Sequence, residues 1–256
     1  MLLQKNEYRQ TGTKSMKELR RFTMARVGLG RAGNSLPTRE LLDFQLALAR
    51  ARDAVHFPFD AGALVQELEA AGWPAVAVKS AARDRAEYLR RPDLGRRLDA
   101  VSRLRIEELR GPFDAVFIVA DGLSAPAAHG QAVELLRQTM ARLDRGAWKI
   151  GPMVVIERGR VAASDEIGEA LEASLTVMLI GERPGLSSPD SLGVYLTWSP
   201  RPGRTDAERN CISNVRPEGL SASAAAELLV LLMNASRAKR ISGVGLKAVK
   251  NILTRR

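Results

Sequence analysis

Val116-Phe117-Ile118-Val119-Ala120-Asp121-Gly122-Leu123-Ser124 decides how the rest of the chain is read. Five apolar residues in succession, with no polar alternation, predict a strand buried on both faces. The Asp-Gly-Leu-Ser that follows turns the chain into a helix expected over 127–144. The same pattern recurs downstream: Met153–Ile156 reads as a strand, 165–173 as a helix, Leu175–Ile180 and Val194–Trp198 as strands, and 221–239 as a long Ala/Leu helix. Upstream, 75–79 is a short strand after Trp73-Pro74, and 84–91 and 93–109 read as helices with Asp84 and Asp93 as their caps. Continuous apolar strands alternating with amphipathic helices predict an α/β fold, a doubly wound, mostly parallel sheet with helices on both faces.

Before residue 74 the texture differs. Ser15 and Glu18 form a capping-box pattern for a helix over 15–27. Pro37 and Thr38 open a second helix carrying Leu41, Leu42, Leu48 and Val55. Asp60 caps a third, with Leu64, Val65 and Leu68, that ends at Gly72. The expected organisation is a basic N-terminal arm over 1–25, a small helical domain over 26–73, and an α/β, Rossmann-like domain over 74–256.

The net charge of +10 is concentrated at the two ends. Residues 1–39 carry +7 and residues 237–256 carry +7, which leaves the body between them at −4. With aromatics at 5% of residues, this does not describe a nucleic-acid-binding face. No apolar run has the length of a membrane span, and the N-terminus has no signal-peptide core. One cysteine, Cys211, excludes an intrachain disulfide framework and fits a reducing, cytoplasmic setting.

In an open parallel sheet, ligands bind outside the carboxyl ends of the strands. The segments expected there are Asp121–Ser124, Arg158-Gly159-Arg160-Val161, Gly181-Glu182-Arg183-Pro184-Gly185-Leu186 and Ser199-Pro200-Arg201. Gly28-Leu29-Gly30-Arg31-Ala32-Gly33 matches a dinucleotide fingerprint in spelling, but it runs into Asn34-Ser35-Leu36-Pro37 instead of opening a helix after a strand. It therefore reads as a glycine turn. His56, His129 and Cys211 have no zinc spacing, and Ser124 lies in no nucleophile elbow. No catalytic constellation is complete, so the chain either binds without reacting or supplies half of a site.

Five blocks resemble the small subunit of ethanolamine ammonia-lyase. They are the Gly28–Gly33 turn, Arg91-Pro92-Asp93-Leu94-Gly95-Arg96-Arg97-Leu98, Asp121-Gly122-Leu123-Ser124, Gly181–Leu186, and Cys211-Ile212-Ser213-Asn214, in family order across residues 26–216. The resemblance implies an adenosylcobalamin-dependent lyase that deaminates ethanolamine to acetaldehyde and ammonia. A large barrel subunit would hold the substrate while this chain covers part of the corrin. It implies a hetero-oligomer, active only with that large subunit, and some family members reside in a bacterial microcompartment. Val161, Glu182 and Cys211 match the family's cofactor contacts; Asp121 and Ser124 join them by the fold argument alone. No catalytic side chain and no metal ligand is expected from this chain. Neither histidine stands in an Asp-x-His-x-x-Gly motif, so the cofactor's own base is expected to stay on cobalt. Glu182 is expected to accept from a corrin amide, and the backbone near Val161 and Cys211 to pair with others. The competing reading is a stand-alone cobalamin or nucleotide binding module.

Overall fold

The computed structural model describes residues 18–249 apart from residue 145. Six strands form one sheet: β1 (Ala75–Lys79), β2 (Val116–Ala120), β3 (Met153–Glu157), β4 (Leu175–Gly181), β5 (Leu192–Trp198) and β6 (Arg209–Val215). Their order is β1-β3-β2-β4-β5-β6. The first four run parallel, β5 is antiparallel to β4, and β6 is antiparallel to β5. Every residue of β2 and β4 is buried, and all but Thr176 are apolar.

The helices are α1 (Thr38–His56), α2 (Ala61–Ala70), α3 (Arg85–Arg90), α4 (Ala100–Glu107), α5 (Ala125–Arg142), α6 (Ala163–Ala170) and α7 (Ala222–Lys239). On one face of the sheet Leu64 and Leu68 of α2, Leu135 and Leu136 of α5, and Leu229 and Met233 of α7 pack with Phe117, Val155 and Leu179. On the other, Ile106 of α4 and Ala163 and Ile167 of α6 pack with Ile118, Val154 and Met178. The α/β fold with helices on both faces is thus as read from the sequence.

The caps explain several boundaries. Asp60, Asp84 and Ser124 each accept a hydrogen bond from the amide three residues on, at 2.9, 2.8 and 3.3 Å. The expected helix over 93–109 is instead two pieces. A 3-10 turn at Leu94–Arg96 is followed by an extended Arg97, and α4 starts afresh with Asp99 as its cap, 2.7 Å from Ser102 N. Asp93 caps nothing and pairs with Arg91. The expected helix over 165–173 begins two residues earlier, at Ala163. The expected first helix is a 3-10 turn at Leu19–Arg21 among the described residues, and Ser15 lies outside them, as does much of the basic arm. Gly28, Gly30 and Gly33 all have positive φ, closed by an Ala32–Ser35 bridge with no strand before it: a turn, and no dinucleotide loop.

Two further differences bear on the site. Arg209–Val215 was not read as a strand, and it carries Cys211, which was placed in a loop. Because β5 runs antiparallel, Ser199-Pro200 sits at the opposite edge of the sheet, packed against Gly168 at the far end of α6. Among the described residues no helix is long and apolar enough to cross a membrane.

Candidate functional site

The carboxyl ends of β2, β3 and β4 bring three turns to one edge of the sheet: 121–124, 158–162 and the loop 182–191. Two of them touch backbone to backbone. Leu123 N donates to Gly181 O at 2.9 Å, and a Cβ at either Gly122 or Gly181 would collide with the other turn. Between the turns lies a recess of about 390 Å³, lined by Tyr88, Leu123, Val161, Glu182, Arg183 and Tyr195 among others.

Val161 is half-buried in the turn that leads into α6, one residue before that helix's N-cap Ala162. Glu182 is clamped on three sides. Its Oε2 accepts from Ser191 Oγ at 2.5 Å and from Asn214 N at 3.2 Å, and its Oε1 accepts from Ser213 Oγ at 2.6 Å. It does not pair with its neighbour Arg183. The carboxylate thus ties the loop after β4 to the end of β6, with three of its roughly four acceptor positions filled. Cys211 stands opposite Tyr195 in the β5–β6 register. Burial raises the thiol's pKa, helped by the charge of Glu182, so Cys211 is a thiol at neutral pH. Val161, Glu182 and Tyr195 therefore line one shallow surface, and Cys211 lies beside it as the register partner of Tyr195.

Asp121 and Ser124 are at the same edge but are turned inward. Asp121 is 3% exposed and Ser124 is fully buried. Ser124 donates to Pro189 O at 2.7 Å while capping α5. Arg85 pairs with Asp121 at 3.0 Å, donates to Gly122 O at 2.8 Å, and reaches Val55 O at the end of α1 at 2.7 Å. Burial pushes the Asp121 carboxyl up to about 6, opposed by Arg85. Both residues hold the turn that presents Gly122 and Leu123 to the recess.

Tyr88, Tyr195 and Ser213 were not singled out from the sequence. Tyr88 is buried, donates to Gly159 O at 3.1 Å, and lies between the guanidinium groups of Arg85 and Arg160, 4.9 and 4.5 Å from its ring. Burial raises both tyrosine pKa values, so the recess is walled by neutral phenols. Ser213 was visible only as part of Cys-Ile-Ser-Asn; its alternation with Cys211 on one strand face is the signal that β6 supplies.

His129 is structural. Its Nε2 accepts from Asp60 N at 3.2 Å, and its ring packs on Phe59 at 5.0 Å. Burial lowers its pKa. His56 ends α1. Cys211 faces a tyrosine and no histidine, and among the described residues no group of three or more His, Cys, Asp and Glu could hold a metal.

Comparison with known proteins adds what geometry does not. The family model of the ethanolamine ammonia-lyase light chain matches residues 13–247. The ethanolamine ammonia-lyase small subunit of Azotobacter vinelandii is 56% identical over 234 residues, covering 90% of this chain and 87% of its own length. Those of Ralstonia nicotianae and Rhodopseudomonas palustris are each 53% identical, over 238 and 234 residues, covering 91% of this chain and 88% and 90% of their own lengths.

Proposed function

This chain belongs to the ethanolamine ammonia-lyase light-chain family, and from that premise we propose that its carboxyl-edge recess forms one wall of an adenosylcobalamin site. The other wall, and the ethanolamine pocket, belong to a large subunit. The observation that carries the proposal is that the Val161 turn after β3 and Glu182 after β4 line one shallow recess, with Cys211 of β6 next to its wall, opposite Tyr195.

The residues suit the group. Corrin is a wide, largely neutral macrocycle rimmed by amides. The recess is open and broad, its phenols are uncharged, and Val161 and Leu123 supply apolar contact. Glu182 is held rigidly enough by its three donors to offer its remaining acceptor position to an amide NH₂ without reorganising. A corrin amide buried without such a partner costs about 1–3 kcal/mol.

Adenosylcobalamin, when bound, supplies the radical chemistry of the deamination to acetaldehyde and ammonia, and that chemistry is the cofactor's own. This chain's residues do three things. Val161 and Leu123 pack against the macrocycle edge and exclude water there. Glu182 fixes the macrocycle's rotation through one amide. Arg85 and Asp121 keep the Gly122 turn in place beneath it. Neither His56 nor His129 lines the recess.

The partner is supported by α1. Leu41, Leu42, Phe44, Leu46 and Leu48 are between 38% and 57% exposed. So much large apolar surface on one helix marks a contact face. A groove between residues 20–29, α1 and Leu186–Pro189 continues that face toward the loop that bears Glu182.

Co-expression with the large subunit tests the proposal. The complex should turn over ethanolamine only with adenosylcobalamin, and the isolated chain should not turn it over at all. Turnover by this polypeptide alone would overturn the reading.

A further inference from the structure

The turn that carries Val161 has a second side. There a cavity of about 880 Å³ opens over the first turn of α6, bounded by Arg96, Arg97, Arg103, Arg160, Arg204 and Arg209 and by the Pro202–Asp206 loop. Its acids are mostly spent. Asp165 is taken by Arg209 at 2.7 and 2.5 Å. Glu166 accepts from Leu98 N at 2.8 Å and from Arg103 at 3.2 Å. Asp206 is fully solvent-exposed, 3.8 Å from Arg209 Nε. Arg204 is occupied by Glu208 and by Ser199 O.

Three arginines remain. Arg96 and Arg97 are exposed, and no hydrogen bond or ion pair holds either guanidinium among the described residues; Arg97 acts on Asp93 only through its charge, which helps to lower that carboxyl's pKa. Arg160 donates to Tyr88 O at 3.1 Å, but its Nε is buried without a partner. Their backbones are fastened to one another and to the sheet. Arg160 N donates to Gly95 O at 2.8 Å, Ala81 N donates to Arg97 O at 2.9 Å, and Leu98 N is held by Glu166. The cations are thus mounted on a fixed frame beside α6, whose first amides are already donated to the carbonyls of Arg160, Val161 and Ala162. A cluster of guanidinium groups in excess of the carboxylates beside it is the chemistry that recognises a phosphate.

Arg160 and Val161 line both this cavity and the recess assigned above. A ligand in the recess has a continuous path over that turn. Cobalamin has one phosphodiester, in its nucleotide loop, and its corrin side chains are otherwise neutral amides. We propose that the arginine-walled cavity takes that phosphodiester, with Arg96, Arg97 and Arg160 as donors. The proposal rests on the reading of the recess as a cobalamin site. It makes this chain the subunit that distinguishes complete cobalamin from corrinoids without a nucleotide.

The test uses the complex with the large subunit and compares cobalamin with cobinamide, which lacks the nucleotide loop and its phosphodiester. Dissociation constants come from equilibrium dialysis read by corrin absorbance. Arg96→Gln/Arg97→Gln is the main variant, since neither side chain supports the fold. Glu182→Ala probes the recess, and Arg137→Gln, on the remote surface of α5, is the control. The double variant should weaken cobalamin binding by about tenfold or more while leaving cobinamide within about twofold, and the control should match the wild type. Equal loss for both compounds overturns the phosphodiester assignment, as does unchanged cobalamin affinity with weaker subunit assembly. Cobalamin and cobinamide binding insensitive to Glu182→Ala and to the arginine variants overturns the recess reading and this proposal together.

Discussion

Replacing Glu182 by glutamine keeps the shape of the side chain and removes its charge, which makes the two roles of this residue separable. The carboxylate receives three hydrogen bonds, from Ser191, Ser213 and Asn214 N. A hydrogen bond to a charged group is worth about 1.5–3 kcal/mol against about 0.5–1.5 for a neutral one, so each loses roughly 1 kcal/mol. Glu182 is half-buried, and solvent screening brings the total to about 1–2 kcal/mol. In a chain of this size that lowers Tm by about 2–8 °C. Glutamine can hold the same partners, with its oxygen toward Ser191 and Asn214 and its amide toward the Ser213 hydroxyl, so the fold and subunit assembly survive. If the remaining acceptor position serves a corrin amide, Kd for adenosylcobalamin rises by roughly 5- to 150-fold, equivalent to about 1–3 kcal/mol. Differential scanning calorimetry and a spectroscopic cobalamin titration of the assembled complex read the two effects. A lowered Tm with unchanged Kd would refute the reasoning, reducing Glu182 to a clamp between β4 and β6.

Two other outcomes follow from the same side of the sheet. Arg209→Met leaves Asp165, 1% exposed at its side chain, without its hydrogen-bonded counter-charge, and thermal or denaturant unfolding at pH 7 should show a loss of about 3–5 kcal/mol. Asp165 already has a raised pKa from burial; without Arg209 it rises further, so the folded state holds its proton more tightly than the unfolded chain does, and the deficit should shrink as pH falls toward about 4. Cys211, whose thiol pKa is raised, should react with iodoacetamide more slowly than free cysteine at neutral pH and accelerate only above the ordinary thiol range, and adenosylcobalamin in the assembled complex should protect it; mass spectrometry of the alkylated peptide measures both.

What the sequence made legible is what burial writes into it. β2 and β4 are buried on both faces and so are apolar but for Thr176, and Asp60 and Asp84 cap where their spacing said they would, while Asp93 does not. β6 escaped because it is an edge strand. Arg-Asn-Cys-Ile-Ser-Asn-Val buries only every third residue, with polar side chains among buried and open positions alike, and its one buried arginine is paid for by Asp165, 44 residues away in the chain. The direction of β5 was equally hidden: the loop 182–191 is long enough to return the chain either way, and only pairing with β4 fixes it antiparallel. The site followed the same division. Resemblance named Val161, Glu182 and Cys211, and the fold argument added Asp121 and Ser124. Neither could say that Arg85 turns Asp121 inward, or that Ser124 is spent on Pro189, because both partners are set by tertiary contact. The extended residues at Arg97 and Leu98, which split an expected helix, were invisible for the same reason: Ala81 and Glu166 pull that segment onto the sheet edge.

Hydrogen–deuterium exchange on the assembled complex, with and without adenosylcobalamin, tests the central claim most directly. The account predicts that the cofactor slows exchange in this chain at residues 158–162, at 182–186 and along 209–215, with little change on α5 and α7. Slowed exchange confined to the large subunit, with those three segments unaffected, would contradict it.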